Sequence, residues 1–249
     1  MSPGQESTPA LDKAESFTAT HWSVVLTAGQ TSSPQAADAL EKLCRTYWYP
    51  LYAHIRRRGH APHDAQDLTQ EFFARLLARN YLGTVGREKG KFRSFLLAAL
   101  NHFMADERDR AMTAKRGGGK VLISLDEADA ETRYQADMAS RLSPDRIFEK
   151  RWAMTLLEQA FGKLRAESLA AEKGERFDRL SVFLQDGTDP GDYTQVGREL
   201  GMAANSVAAA VHRLRQRYRE LVRAEIANTV ASPEEVQEEM RHLFAALAQ

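Results

Sequence analysis

Histidine and aspartate crowd into one short stretch, HAPHDAQD, where His60, His63, Asp64 and Asp67 have spacings a metal ion can use. They fall where a loop turns into a helix, a place where the same residue types cap backbone N–H groups or simply face water. No metal site is expected there. The GGGK of Gly117–Lys120 has neither the spacing nor the following hydroxyl of a phosphate-binding loop, and it reads as a helix breaker. The single cysteine, Cys44, lies on an apolar helical face as packing. It excludes an intramolecular disulfide and any multi-cysteine zinc site. No Ser–His or paired-carboxylate arrangement stands out, so neither catalysis nor a cofactor is expected. What remains is the chemistry of clustered cations, which is the binding of anions.

Basic and acidic residues number 34 each and cancel overall, yet they are segregated along the chain. Between Arg87 and Lys120 the basic residues prevail, and Tyr193–Ile226 is similarly biased. Acidic residues dominate from Asp126 to Asp145 and again from Glu234 to Glu239. Alternating blocks of this kind suggest two anion-binding surfaces with different material between and after them.

The second basic block, YTQVGRELGMAANSVAAAVHRLRQRYRELVRAEI, reads as a short helix, a tight turn and a longer helix studded with arginine. Asp192 is expected to cap the short helix, with Gln195 reaching back as in a capping box, while Val196 and Leu200 face inward. Gly201 supplies a residue that tolerates the left-handed turn. In the long helix Val207, Val211, Leu214, Tyr218 and Leu221 form one stripe at three- and four-residue spacing. His212, Arg213, Arg215, Arg217, Arg219 and Arg223 occupy the rest of the surface. Such a helix can bury one side and offer the other to a DNA major groove. An amphipathic bundle helix with a solvated face has the same pattern.

The elements that must carry these residues are helical almost throughout, so the expected class is all-α. Residues 1–16 are polar and expected to be disordered, without the charged-then-apolar order of a signal peptide. A helical module is expected over 17–116, beginning with a short helix around Trp22, Val25 and Leu26. A helix opened by Ser33-Pro34 follows, kinked at Pro50 and ended by Gly59. The next helix begins near Pro62. After a loop over Asn80–Lys91 a long one runs from Phe92 towards Ala114, and Gly117–Gly119 stops it. Residues 117–143 lack a sustained period and are expected to be a flexible linker. A second module, 144–230, opens at Ser143-Pro144 and ends in the helix-turn-helix, and a tail helix occupies 231–249. The longest apolar run, Phe95–Leu100, is far too short to cross a bilayer, and a cytoplasmic protein is expected.

Three segments in this order resemble bacterial RNA polymerase sigma factors of the extracytoplasmic-function type, in the sigma-70 family. DAQDLTQEFFARLL (Asp64–Leu77) resembles the region 2 helix that docks on the clamp coiled coil of core polymerase. FRSFLLAALNHFMADERDRAMTAKR (Phe92–Arg116) resembles the helix that opens and reads the −10 element. The helix-turn-helix resembles the region 4 reader of the −35 element. The resemblance implies two small helical domains, region 2 and region 4. The implied partners are core RNA polymerase, through its clamp coiled coil and flap, promoter DNA, and an anti-sigma protein.

For polymerase docking it points to Asp64, Asp67, Gln70 and Glu71 as an acidic and polar rim around the anchors Leu68, Phe72 and Phe73. For the −10 element it points to Lys91, Arg93, Arg108, Arg110, Lys115 and Arg116 on phosphates, Asn101 on a base edge and Phe92 at the base pocket, walled by the Tyr81–Gly90 loop. Asp106, Glu107 and Asp109 interrupt that basic run, so part of the helix is expected to face protein. For the −35 element, readout rests on Asn205, Ser206, His212, Arg213 and Arg215. Ala203 stands where a capping serine is common, and Ala208, Ala209 and Ala210 replace the basic or polar residues of many relatives. Alanines can still touch thymine methyls.

Two other expectations stay open. A stand-alone helix-turn-helix regulator of duplex operators would use the same recognition helix without needing polymerase. The tail carries Val236, Met240, Leu243, Phe244 and Leu247 opposite Glu234, Glu235, Glu238 and Glu239. Either it completes the core of the second module, or its acidic side lies against Arg213–Arg223 or the Phe92–Arg116 helix.

Overall fold

Helix α1 (Pro34–Arg57) is followed by α2 (Pro62–Ala78), α3 (Phe92–Thr113), α4 (Glu127–Asp137), α5 (Pro144–Ala170), α6 (Gly174–Ser181), α7 (Pro190–Glu199), α8 (Ala204–Ala227) and α9 (Pro233–Leu247). The computed structural model describes residues 34–78, 91–113, 127–137, 141–184, 190–230 and 232–248, and their regular structure is all helical. The expected disorder over 1–16, the helix at Trp22, the Tyr81–Gly90 loop and the Gly117–Gly119 stop lie outside these residues. Five helices begin at a proline, whose fixed φ suits a first turn and whose missing N–H is no loss there. Ser143 caps α5 by accepting from the Arg146 amide at 3.3 Å, and Ser232 and Glu235 form a reciprocal capping box on α9. Helix α1 runs through Pro50 and ends two residues before Gly59, whose φ of 94° only glycine adopts easily. Asp192 is not the cap of α7. The helix starts at Pro190, which places Asp192 inside its first turn.

Helix α5 is the axis on which α1, α8 and α9 pack, and α2 and α4 pack on α1. One continuous core joins Tyr47 and Leu51 of α1, Phe92 of α3, Trp152 of α5, Ile226 of α8 and Leu243 of α9. A smaller core, built on Leu180, Phe183, Val207 and Val211, belongs to the helix-turn-helix. The boundary expected at 117–143 therefore does not divide the main core. Within it, residues 127–137 form α4, which buries only Ala130 and Tyr134 in the core and is anchored to α1 by a polar contact. Glu131 accepts from the Tyr52 hydroxyl at 2.6 Å and from Arg56 at 2.8 and 3.0 Å, and Arg56 lies 4.7 Å from the centre of the Tyr134 ring. Arg56, ahead of the burial that acts against it, holds the Glu131 carboxyl down at about 2. Among the described residues no helix is long and apolar enough to cross a membrane.

Candidate nucleic-acid interface

Gly197 and Gly201 allow α7 to fold back tightly on α8. Gly201 has φ 63°, and the Met202 amide donates to the Gly197 carbonyl at 2.7 Å. A Cβ on Gly197 would stand 2.6 Å from the Met202 carbonyl oxygen, which is backbone and cannot swing aside. Gly197→Ala should therefore lower stability by about 1–3 kcal/mol, by forcing the turn apart. Amide exchange should then speed up through 190–199 while α1 keeps its protection; unchanged exchange in α7 would refute the close approach. The Phe183 and Tyr193 rings, 4.8 Å between centres, pack the start of α7 on the segment that follows α6.

This packing decides which face of α8 is outward. Val207, Ala210 and Val211 are buried and Leu214 and Tyr218 half-buried, while Asn205, Ser206, Ala209, His212, Arg213, Gln216, Arg219 and Arg223 are exposed. Asn205, Ala209, His212, Gln216, Arg219 and Arg223 follow one another at three- and four-residue steps and form a single row. Of the three alanines only Ala209 is fully outward. Ala210 fills the small core and Ala208 is half-buried, so a long side chain would not fit at the first of these. Ala203 precedes the helix with no side-chain cap, as its lack of a hydroxyl requires.

Arg215 is a correction to the expected base-reading set. Its guanidinium donates to the Phe183 carbonyl from Nε at 3.0 Å and Nη2 at 2.7 Å, so it ties α8 to the turn after α6. Arg217 is likewise engaged, with Glu167 at 2.8 and 2.9 Å and Glu220 at 2.9 Å. Arg213 instead lines a cleft of about 290 Å³ together with Lys173 and Arg176. These two cations did not stand out in the sequence, because they precede the recognition helix by a long stretch of chain. Their position beside Arg213 suits contact with a phosphate backbone flanking the groove.

The first basic block is arranged differently. Phe92 is buried edge-on against Tyr47, 5.0 Å between ring centres, and is no free stacking platform. Arg93 is only 7% exposed and pairs with Glu239 and Glu149 at 2.8 and 2.7 Å, so it presents no phosphate-binding surface in this conformation. Lys91 pairs with Glu238 and Glu239 at 2.9 and 3.0 Å. Asn101 is half-buried and its Oδ1 accepts from Arg58, while Arg108 is exposed. The Arg110 side chain, Lys115 and Arg116 lie outside the described residues. Glu107 pairs with Arg75 of α2 at 2.6 Å, so this part of α3 faces protein.

On α2, Asp64 and Asp67 are exposed, with His63 Nδ1 3.2 Å from Asp67. Glu71 pairs with Arg75, Gln70 is half-buried, and Leu68 packs partly buried against the core. Phe72 and Phe73 are both core residues, at 3% and 0% exposure. They are corrections to the expected docking anchors, since one ring packs on Phe103 at 5.7 Å and both belong to the interior. No family model, curated protein or solved structure matches this chain. The chemistry of the surface must then be judged from its own groups. Among the described residues no cluster of three or more His, Cys, Asp or Glu side chains is placed to hold a metal ion. Burial, and behind it the charge of Glu41, pushes the Cys44 thiol up to about 12, which leaves it un-ionised near neutrality.

Proposed function

We propose that this chain is a sigma factor of the extracytoplasmic-function type, which binds core RNA polymerase and directs it to promoters without catalysis of its own. The observation that carries this is the outward row of α8, Asn205–His212–Arg219–Arg223, standing on a glycine-turned helix pair and flanked by Arg213, Lys173 and Arg176. Amide and imidazole groups at the start of such a row suit base edges, and the guanidinium groups suit phosphates. The exposed carboxylates of Asp64 and Asp67 supply an acidic patch on a different helix, suited to steering a basic partner.

Reversing both charges (Asp64→Lys, Asp67→Lys) should weaken binding to purified core polymerase about tenfold while leaving duplex DNA binding intact. Equal polymerase affinity of parent and variant would remove the docking assignment. A second reading, a stand-alone regulator of duplex operators, is favoured by the burial of Phe72, Phe73 and Arg93, which leaves the helix-turn-helix as the open DNA-binding face. Run-off transcription with reconstituted polymerase decides between them. A regulator shifts transcription only from promoters that overlap its site, whereas a sigma factor is required for initiation.

A further inference from the structure

Glu239 has no exposed side-chain surface, on a helix whose neighbouring Glu234 and Glu238 face water. A carboxylate buried in this way persists only with close, well-hydrogen-bonded partners. Its partners lie 146 positions earlier in the chain: Arg93 donates from Nε at 2.8 Å and from Nη2 at 3.2 Å. Lys91 Nζ is 3.0 Å from the same carboxylate and 2.9 Å from Glu238. The remaining Arg93 nitrogen meets Glu149 at 2.7 Å, and the guanidinium lies 5.1 Å from the centre of the Trp152 ring. Both cations at the start of α3 are thus neutralised by carboxylates, two of which belong to the C-terminal helix. The α3 backbone is tied to the same place, where the Phe92 amide donates to the Thr229 carbonyl at 3.4 Å.

We propose that α9 is a built-in competitor for nucleic acid: Glu238 and Glu239 occupy Lys91 and Arg93 in the free protein and keep phosphates off the start of α3. This rests on the reading of α3 as a nucleic-acid contact. Two features set α9 apart from a helix that merely completes the core. Val236, Leu243 and Ala246 enter the core and Met240 and Leu247 pack on it only partly buried, while Phe244 is 61% exposed. Its outer ion pair, Lys91–Glu238, is made by a carboxylate 55% exposed, where salt and competing anions reach it. A phosphate presents the same charge and acceptor geometry to Lys91 and Arg93 as these carboxylates do.

The test uses the full chain and a labelled single-stranded oligodeoxynucleotide, followed by fluorescence anisotropy over a series of salt concentrations. The double variant Glu238→Gln, Glu239→Gln should bind roughly fivefold tighter than the parent, and freeing Lys91 while Arg93 keeps Glu149 should steepen the slope of log affinity against log salt by about 0.7. Circular dichroism melts identify the temperature range in which each variant is folded. Should the double variant not fold, Glu238→Gln alone decides; Lys91 then keeps Glu239 and is only half released, so the expected gain is about twofold and the slope steeper by about 0.3. A folded variant with unchanged affinity and slope, beside a parent that does bind DNA, overturns the competitor and leaves the nucleic-acid reading in place. If parent and variants alike bind neither single-stranded nor duplex DNA, the nucleic-acid reading itself falls, and the competitor with it.

Discussion

Replacing Trp152 by alanine should lower stability by about 3–5 kcal/mol and loosen α1 and α8 together, in one melting transition. Trp152 has no exposed surface and sits on α5, the helix against which α1, α8 and α9 all pack. Its core includes Tyr47 and Phe92 from one half of the chain and Ile226 and Leu243 from the other. Truncation removes the largest fully buried side chain among the described residues and leaves a cavity that both halves line. It also strips the Arg93 guanidinium of the ring on which it lies. Two modules on a flexible linker behave otherwise, since damage to α5 would leave the melting of α1–α3 unchanged. Hydrogen exchange read separately over 34–57 and 204–227 distinguishes the cases. Protection lost only in the second segment would refute the shared core.

Helix ends were legible because they are decided locally. Ser143-Pro144, Ser232-Pro233 and Gly59 act on their own turn of backbone, and the structure uses each as its type dictates. Asp192 misled because two start signals lie two residues apart, and Pro190 opened the helix first. Helix α4 was not legible, for the periodicity that marks a helix reports apolar contact. This helix buries Ala130 and Tyr134, one turn apart, and is anchored by Glu131. The same limit applies to the candidate site. The exposed row of α8 follows from spacing alone, since Val207 and Val211 fix the inward face and the other positions follow geometrically. Arg93, Glu239 and Arg215 could not be placed that way. A charged residue reads as solvated unless its partner is known, and these partners are 146 positions away, or a backbone carbonyl 32 positions away. Phe72 and Phe73 carry the converse lesson. The resemblance implied surface anchors at these positions, but α2 packs on α1 and contacts Phe103 of α3, which buries both rings.

Acid should weaken this protein above the pH at which its carboxylates begin to titrate, and His54 is the reason. The imidazole is fully buried on α1, edge-on to Phe148 of α5 with 6.5 Å between ring centres. Burial, helped by the charge of Arg58, lowers its pKa from 6.5 to about 4, while the Pro144 backbone and Asp145 pull the other way. Asp145 Oδ1 is 3.6 Å from Nδ1, too distant to offset the burial. The folded protein therefore keeps His54 neutral where the unfolded chain has already taken up a proton. Stability supplied by this group is fully present above about pH 6.5, declines as the pH falls, and is exhausted near pH 4. A shift of this size corresponds to about 3 kcal/mol. Glu131, held down at about 2, contributes stability that is lost only as the pH falls below its ordinary value of 4.5, so the two windows overlap only below that value. Urea unfolding of the parent and of His54→Leu, each at about pH 7 and about pH 4.5, tests the assignment through the change with pH, which cancels any packing difference between them. The parent should lose about 2–3 kcal/mol more than the variant over that interval. Parallel losses would mean that His54 titrates as an exposed histidine does, and that the junction of α1 with α5 is open to water.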